Sequence, residues 1–200
     1  MSRRPIPKRM KIHSDTAEKV FGGVRFSVYQ WQQQVFDGSY RTYETAKRND
    51  TVVIVALDGK DVVVIKEIQP HWDTEIQTVP CGVIAESEDI YNAAKRELRE
   101  ETGYVCKDWF LMDAHTQVPG VEWVWYFFIA KNVECILEKK LDSVEEKNSV
   151  FRKSIPEFIQ MIRNDELHYP LPFLEKALLK YGDEKAIDIL EHPEKYVYTE

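Results

Sequence analysis

Apolar and polar positions follow two different periods along this chain, and the periods divide it. From Lys19 to Ala46 the spacing is two: Val24-Arg25-Phe26-Ser27-Val28-Tyr29 alternates, and Gln32–Phe36 and Tyr40–Glu44 flank an Asp37-Gly38 turn signal. These stretches predict a small β-meander with one half-apolar face. Beyond Asn49-Asp50 the pattern becomes continuous. Thr51–Leu57 and Asp61–Ile68 are unbroken Val/Ile-rich runs joined by Asp58-Gly59-Lys60, which predicts a hairpin buried on both faces. Residues 69–80 read as a polar connector. Asp89–Thr102 then takes the helical period, with Ile90, Ala94 and Leu98 on one face and Gly103 as the stop. Further strands are predicted at Trp109–Ala114, Val121–Ala130 and Ser149–Lys153, and helices at Ile155–Asp165 and Phe173–Tyr181. Residues 1–11 read as a loose basic arm, and the tail from Gly182 has no role legible in its pattern.

Composition narrows the class. With 44% apolar and 30% charged residues the chain is an ordinary globular one, and 200 residues suffice for one core with a small appendage. The formal net charge of -7 disfavours nucleic acid and anionic lipid as partners. Three cysteines, Cys81, Cys106 and Cys135, lack CxxC spacing and point to a reducing cytoplasm rather than a disulfide framework or a zinc site. The longest apolar run, Val121–Ala130, contains Glu122 and falls well short of the roughly 20 residues that a membrane helix needs.

The predicted central helix carries Arg96-Glu97-Leu98-Arg99-Glu100-Glu101. Helical geometry sets Glu97 on one face with Glu100 and Glu101, at i+3 and i+4. Like charges so placed repel by about 0.2–0.5 kcal/mol per pair, and the negative end of the helix dipole lies nearby. A hard divalent cation would offset that cost, because Mg²⁺ and Mn²⁺ take oxygen ligands, some from protein and the rest from water and phosphate. Arg96 with Glu100 also reads as an ordinary surface pair.

Gly82, Glu88, Arg96, Glu97, Leu98, Glu100, Glu101 and Gly103 stand at the spacing of the Nudix box, which this stretch resembles throughout; only Tyr104 departs, where an aliphatic residue is usual. The resemblance implies an α/β fold, the Nudix α/β/α sandwich with a mixed β-sheet, preceded by a small N-terminal β extension. It divides the chain into residues 1–47 (arm and extension), 48–181 (catalytic domain) and 182–200 (tail). It implies metal ligation by Glu97, Glu100, Glu101 and the Cys81 backbone carbonyl, with Mg²⁺ as cofactor and Mn²⁺ as a substitute. It makes Gly82, Glu88, Arg96 and Gly103 structural. The activity implied is in-line attack of water on one phosphorus of a diphosphate.

Features outside the box resemble the ADP-ribose and nucleoside-diphosphate-sugar pyrophosphatase branch. They are the upstream strands, Val79-Pro80-Cys81-Gly82 at the entry to the box, Pro119-Gly120 after it, and Glu145-Glu146-Lys147 ahead of Phe151–Ser154. The branch implies a homodimer formed through the extension and a catalytic base at Glu146 or its neighbour Glu145. It implies substrate contacts from Pro119, Gly120, Tyr29, Trp31, Arg41 and Gln69. Glu67 and Gln69 depart from the Gln and Arg common in relatives, and Pro119-Gly120 is followed by a shortened run. Dinucleoside polyphosphates, coenzyme A and nucleoside triphosphates are alternative substrates, and a non-catalytic nucleotide sensor is an alternative of another class. Trp123 and Trp125 read mainly as core.

Overall fold

The structure, a computed structural model, describes residues 5–7, 10, 12–68, 73–116, 118–136 and 149–199. The strands are β1 (Glu18–Gly22), β2 (Ser27–Gln34), β3 (Tyr40–Lys47), β4 (Thr51–Asp58), β5 (Asp61–Glu67), β6 (Ile76–Thr78) and β7 (Cys81–Val83). After helix α1 (Ile90–Thr102) come β8 (Tyr104–Val105), β9 (Asp108–Thr116), β10 (Val121–Glu122), β11 (Val124–Lys131), β12 (Glu134–Cys135) and β13 (Ser149–Ser154). Helices α2 (Ile155–Arg163), α3 (Pro172–Tyr181) and α4 (Asp183–Glu191) complete the chain.

Among the described residues the main sheet runs β13-β5-β4-β11-β9, with β6 alongside β5 and β7 alongside β4. It is mixed: β11 pairs with β4 in parallel and with β9 antiparallel. Alternation along its central strands explains why they carry no polar face. Val53, Val55 and Leu57 of β4, with Phe127 and Ile129 of β11, pack under α2, α3 and α4. Val52, Ile54 and Ala56, with Tyr126 and Phe128, pack under α1. A strand covered on both faces must be apolar at every position. The result is the expected sandwich, with α1 on one face and the other three helices on the opposite face.

Helix α1 begins at Asp89, whose carboxylate accepts the N–H groups of Tyr91 and Asn92, and ends at Gly103 in the left-handed region. Ser154 opens α2 with a capping box to Glu157. A second sheet, β1-β2-β3-β10, carries the N-terminal meander.

The structure departs from the sequence expectations in five places. The run Val121–Ala130 is not one strand. Val121 and Glu122 pair in parallel with β3, and the chain crosses at Trp123 into the main sheet. The reason is Glu122, a buried carboxylate satisfied by His13 and by Lys47 at 3.6 Å, which no position inside the apolar sheet could supply. Strand β2 starts at Ser27 rather than Val24, because Gly23 N–H turns back to the Phe26 carbonyl. The connector contains β6, a three-residue strand too short for periodicity to reveal. The segment after Gly182 is integral: Ala186, Ile189 and Leu190 of α4 are buried in the larger core, and Tyr198 N–H bonds to the Leu111 carbonyl at 2.7 Å. Part of the N-terminal arm is also held, since Pro7 is buried and Tyr126 Oη donates to the Pro5 carbonyl at 2.7 Å.

Candidate active site

Strand β7 lies on β4 in the order Thr51↔Val83, Val52↔Gly82, Val53↔Cys81, so the entry to the box is fixed to a strand buried along nearly its whole length. Helix α1 packs across it. Cys81 N–H donates to Glu101 Oε2 at 3.0 Å. Gly82 meets Glu97 so closely that a Cβ there would fall 2.0 Å from the Glu97 carboxylate carbon. Glycine is required at this position for approach, not for backbone freedom.

Arg96 organises the loop that joins β7 to α1. Its Nε and Nη2 donate to the two oxygens of Glu88 at 3.0 and 2.9 Å, a bidentate pair. Nη2 also reaches the Val83 carbonyl at 3.0 Å. Nη1 donates to Glu97 at 2.6 Å and to Glu100 at 3.2 Å. Glu88 in turn accepts Ala85 N–H at 3.0 Å. One guanidinium therefore ties the loop to two of the helix carboxylates, and its own pKa is pushed well above the usual value, by Glu88 first.

Burial raises the Glu97 pKa, although Arg96 beside it acts in the opposite direction. Desolvation likewise pushes the Cys81 thiol well above 9, and the charges of Glu101, Glu67 and Glu97 add to it. Glu100 is the exposed member of the set. Among the described residues no three Asp, Glu, His or Cys side chains converge in a ready metal cage. The donor chemistry nevertheless fits a hard divalent cation. Glu97 and Glu101 both sit against residues 81–82, and hard carboxylate oxygens are the donors that such a cation takes.

Two cavities flank this centre. The smaller, about 430 Å³, is walled by Cys81, Gly82, Glu101 and Glu67 on one side and by Trp123, Trp125 and Tyr169 on the other. The larger, about 790 Å³, lies between the N-terminal meander and the box loop and includes Tyr29 and Glu86–Asp89 in its walls. Val24, Arg25, Arg48 and Asn49 line both. Burial is the first cause that pushes the Tyr169 hydroxyl up to about 12, followed by the neighbouring Cys81 and Glu67.

The expected substrate residues fall out unevenly. Tyr29 lines the larger cavity and stacks on His13 at 4.3 Å. Trp31 and Arg41 lie on the exposed meander; Trp31 Nε1 donates to Gln33, and neither residue is in the walls of these two cavities. Pro119-Gly120 forms the turn before β10, and the Gly120 carbonyl accepts Thr45 Oγ1 at 2.8 Å, which joins the two strands. Glu145, Glu146 and Gln69 lie outside the described residues. Trp125 is core by burial, at 5% exposure, but also walls the smaller cavity. Sequence reasoning missed Arg48 and Tyr169, and noted Glu67 only as a departure. No local pattern marks them, although an Arg-Asn-Asp break between two strand runs signals a junction.

A family model described as the NUDIX domain matches residues 47–155, more than half of the chain. The chain belongs to the Nudix family. The ADP-ribose pyrophosphatase of Bacillus subtilis (strain 168) is 23% identical over 163 residues, covering 80% of this chain and 88% of that protein. The methanol dehydrogenase activator of Bacillus methanolicus is 22% identical over 153 residues, 76% of this chain and 79% of its own. A solved structure described as an ADP compounds hydrolase superposes with a TM-score of 0.64 at 18% identity, covering 84% of this chain and 94% of that one, so the fold is shared. This Nudix chain is a pyrophosphohydrolase, and its family is generally dependent on divalent metal. No helix among its described residues is long and apolar enough to cross a membrane.

Proposed function

We propose that this Nudix hydrolase cleaves the diphosphate of a nucleoside diphosphate linked to a sugar, with ADP-ribose as the first substrate, giving AMP and ribose 5-phosphate. The observation that carries this reading is the pair of unequal cavities meeting beside the box. A diphosphate flanked by two different groups needs two unequal lodgings on either side of the reacting centre. A nucleoside triphosphate needs only one. The B. subtilis relative, named for ADP-ribose, matches most of the chain and supports the same choice.

In this reading Mg²⁺, or Mn²⁺ in its place, is held by Glu97, Glu100, Glu101 and the Cys81 carbonyl. Such a cation, when bound, neutralises diphosphate charge and makes water a better nucleophile at neutral pH. The protein's part is positional. Arg96 and Glu88 keep the loop and the carboxylates of α1 in one arrangement, and β7 holds that arrangement against the sheet. Glu146, or Glu145, takes the proton from the attacking water.

We assign the protein to the cytoplasm, in line with its three sparse cysteines, which lack CxxC spacing. We also infer a homodimer built through the N-terminal sheet, where Phe21, Phe36, Tyr40 and Tyr43 are exposed. Trp31 and Arg41 would then contribute to the second copy's pocket. Light scattering at micromolar concentration tests this, and a mass of 23.5 kDa, that of one chain, rejects it.

The deciding experiment is a hydrolysis screen with Mg²⁺, with products identified, across ADP-ribose, other nucleoside diphosphate sugars, dinucleoside polyphosphates and nucleoside triphosphates. Preferred conversion of ADP-ribose to AMP is the expected result. Preference for a nucleoside triphosphate would discard the two-lodging argument and leave the metal site intact.

A further inference from the structure

The wall of the smaller cavity holds a hydrogen-bond donor that the protein leaves without an acceptor. The other described tryptophans have their indole N–H bound: Trp31 to Gln33, Trp109 to the Cys106 carbonyl and Trp123 to Thr51 Oγ1, each at 3.0 Å. Trp125 does not. Among the described residues its Nε1 is the buried side-chain polar atom with no partner. Buried polar groups are nearly always hydrogen-bonded, and an indole N–H can only donate. An indole so placed in a cavity wall points to an acceptor supplied by whatever fills the cavity. The same wall carries Glu67, as deeply buried as Trp125, whose charge helps to raise the pKa values of Cys81 and Tyr169 beside it. An ionised carboxylate can only accept.

A guest that suits both residues must accept from one and donate to the other. A phosphate only accepts, and Glu67 and Glu101 in this wall repel it. An ammonium group only donates. A hydroxyl does both. The rings narrow the choice further. Trp123 and Trp125 have their centres 5.0 Å apart at 63°, and Trp125 and Tyr169 theirs 5.3 Å apart at 75°. Both pairs meet edge to face, so neither forms a parallel slot for a flat base, and the Arg48 guanidinium lies over Trp123 at 4.0 Å.

We propose that the smaller cavity lodges the sugar, that Trp125 Nε1–H and the Glu67 carboxylate read its hydroxyls as donor and acceptor, and that this pair selects a sugar without a further phosphate. The inference rests on the reading of the substrate as a diphosphate between a nucleoside and a sugar. Trp125 and Glu67 are specificity residues that touch the sugar and leave the cleaved bond to the carboxylates of α1. Glu101 and Cys81 belong to the same wall, so a sugar lodged there has its own phosphate beside the reacting centre. The larger cavity is left to the nucleoside. A site built to bond hydroxyls rejects a group that lacks them, because its buried polar atoms are then left unpaired.

The test compares Trp125→Phe, which keeps a ring and removes the N–H, and Glu67→Gln with the unaltered chain. Calorimetry without divalent metal sets ADP-ribose against the propyl ester of ADP, which has the same diphosphate charge and no terminal hydroxyls. The unaltered chain should bind ADP-ribose at least about 10-fold more tightly than the ester, the range for one neutral and one charged hydrogen bond together. Trp125→Phe should narrow that ratio by about three- to tenfold and Glu67→Gln by about tenfold, with affinity for the ester little changed. In turnover with Mg²⁺, KM for ADP-ribose should rise by similar factors. ADP-ribose with a second phosphate on its terminal ribose should be a poor substrate of the unaltered chain, and Glu67→Gln should lessen that discrimination. Thermal unfolding confirms that each variant is folded; if Glu67→Gln is not, Trp125→Phe decides alone. Equal affinity of the unaltered chain for the two ligands, or an unchanged ratio in folded variants, would overturn the sugar site even if ADP-ribose is cleaved. Failure to cleave ADP-ribose, with a ratio that depends on Trp125 and Glu67, would overturn the substrate reading and leave the sugar site standing.

Discussion

Strands β3 and β4 are each eight residues long and are separated only by Arg48, Asn49 and Asp50, yet they obey opposite rules. In β3 every residue but Thr45 and Ala46 is exposed; in β4 every residue but Asp58 is buried. The first belongs to a sheet with little over it, so its sequence, Tyr-Arg-Thr-Tyr-Glu-Thr-Ala-Lys, is polar and aromatic. The second is covered by helices on both sides, so Thr-Val-Val-Ile-Val-Ala-Leu-Asp has almost nothing polar to spare. The joint between them is where both cavities open. Asp50 fastens it, accepting Val124 N–H at 2.9 Å on its side chain and Ile84 N–H at 2.8 Å on its carbonyl. A rigid, dry sheet thus backs the carboxylates of α1, and a more exposed one borders the larger cavity.

The largest effect should come from the rigid side. Glu101→Gln removes a proposed metal ligand and should lower turnover by on the order of 10²–10⁴-fold, the range that positioned charged groups supply, with little change in unfolding temperature. Turnover within threefold of the unaltered chain would show that the carboxylates of α1 are only a surface cluster.

The contrast between the sheets can then be measured as stability. Phe128 is fully buried between Tyr91, 5.0 Å away, and Trp109, 6.1 Å away. Truncation to alanine should cost about 3–5 kcal/mol in urea unfolding. Tyr43→Ala, in β3, should cost less than about 0.5 kcal/mol within one chain. Its effect should appear in the concentration dependence of unfolding if the N-terminal sheet joins two copies. Equal losses at both sites would end the comparison.

Between these lies Gly82→Ala. The added methyl carbon would occupy the Glu97 carboxylate, so either the carboxylate or β7 must shift by an ångström or more. A displacement of that size at a reacting centre lowers kcat by about 10²-fold, and the variant should still fold. Normal activity would show that Glu97 can relax without loss.

The same contrast explains what could be read in advance. The box was legible because its geometry is local. Residues at i+3 and i+4 share a face whatever surrounds them, Asp89 and Gly103 mark the helix ends, and Glu88 finds Arg96 across one short loop. The hairpin β4–β5 was legible because two-sided burial leaves an unbroken apolar run. Tyr169, Glu67, Trp125 and Arg48 were not, because they come from four segments that meet only through the order β5-β4-β11. The break at Trp123 was hidden for a related reason. Val121–Ala130 looks uniform, and only the partners of Glu122, His13 and Lys47, reveal that its first two residues serve another sheet. Pro119-Gly120 shows the converse: a motif with a resemblance to a substrate element also closes a turn that pins β10 to β3.

The smallest effect reports on the charges of the site without any turnover. Alkylation needs the thiolate, so a thiol whose pKa is raised reacts slowly. Burial is the first cause for both Cys81 and Cys106, but Cys81 also faces Glu101, Glu67 and Glu97. Cys135 is exposed. Iodoacetamide at pH 8, followed by mass spectrometry, should therefore modify Cys135 first, Cys106 next and Cys81 last. In Glu101→Gln one of the charges that raises the Cys81 thiol is gone, and its labelling should quicken. The gain should be small, about two- to fivefold, because desolvation remains the leading cause. An unchanged rate would mean that Glu101 does not act on the cavity wall where Cys81 lies, and would weaken its assignment to the metal even if the variant were inactive.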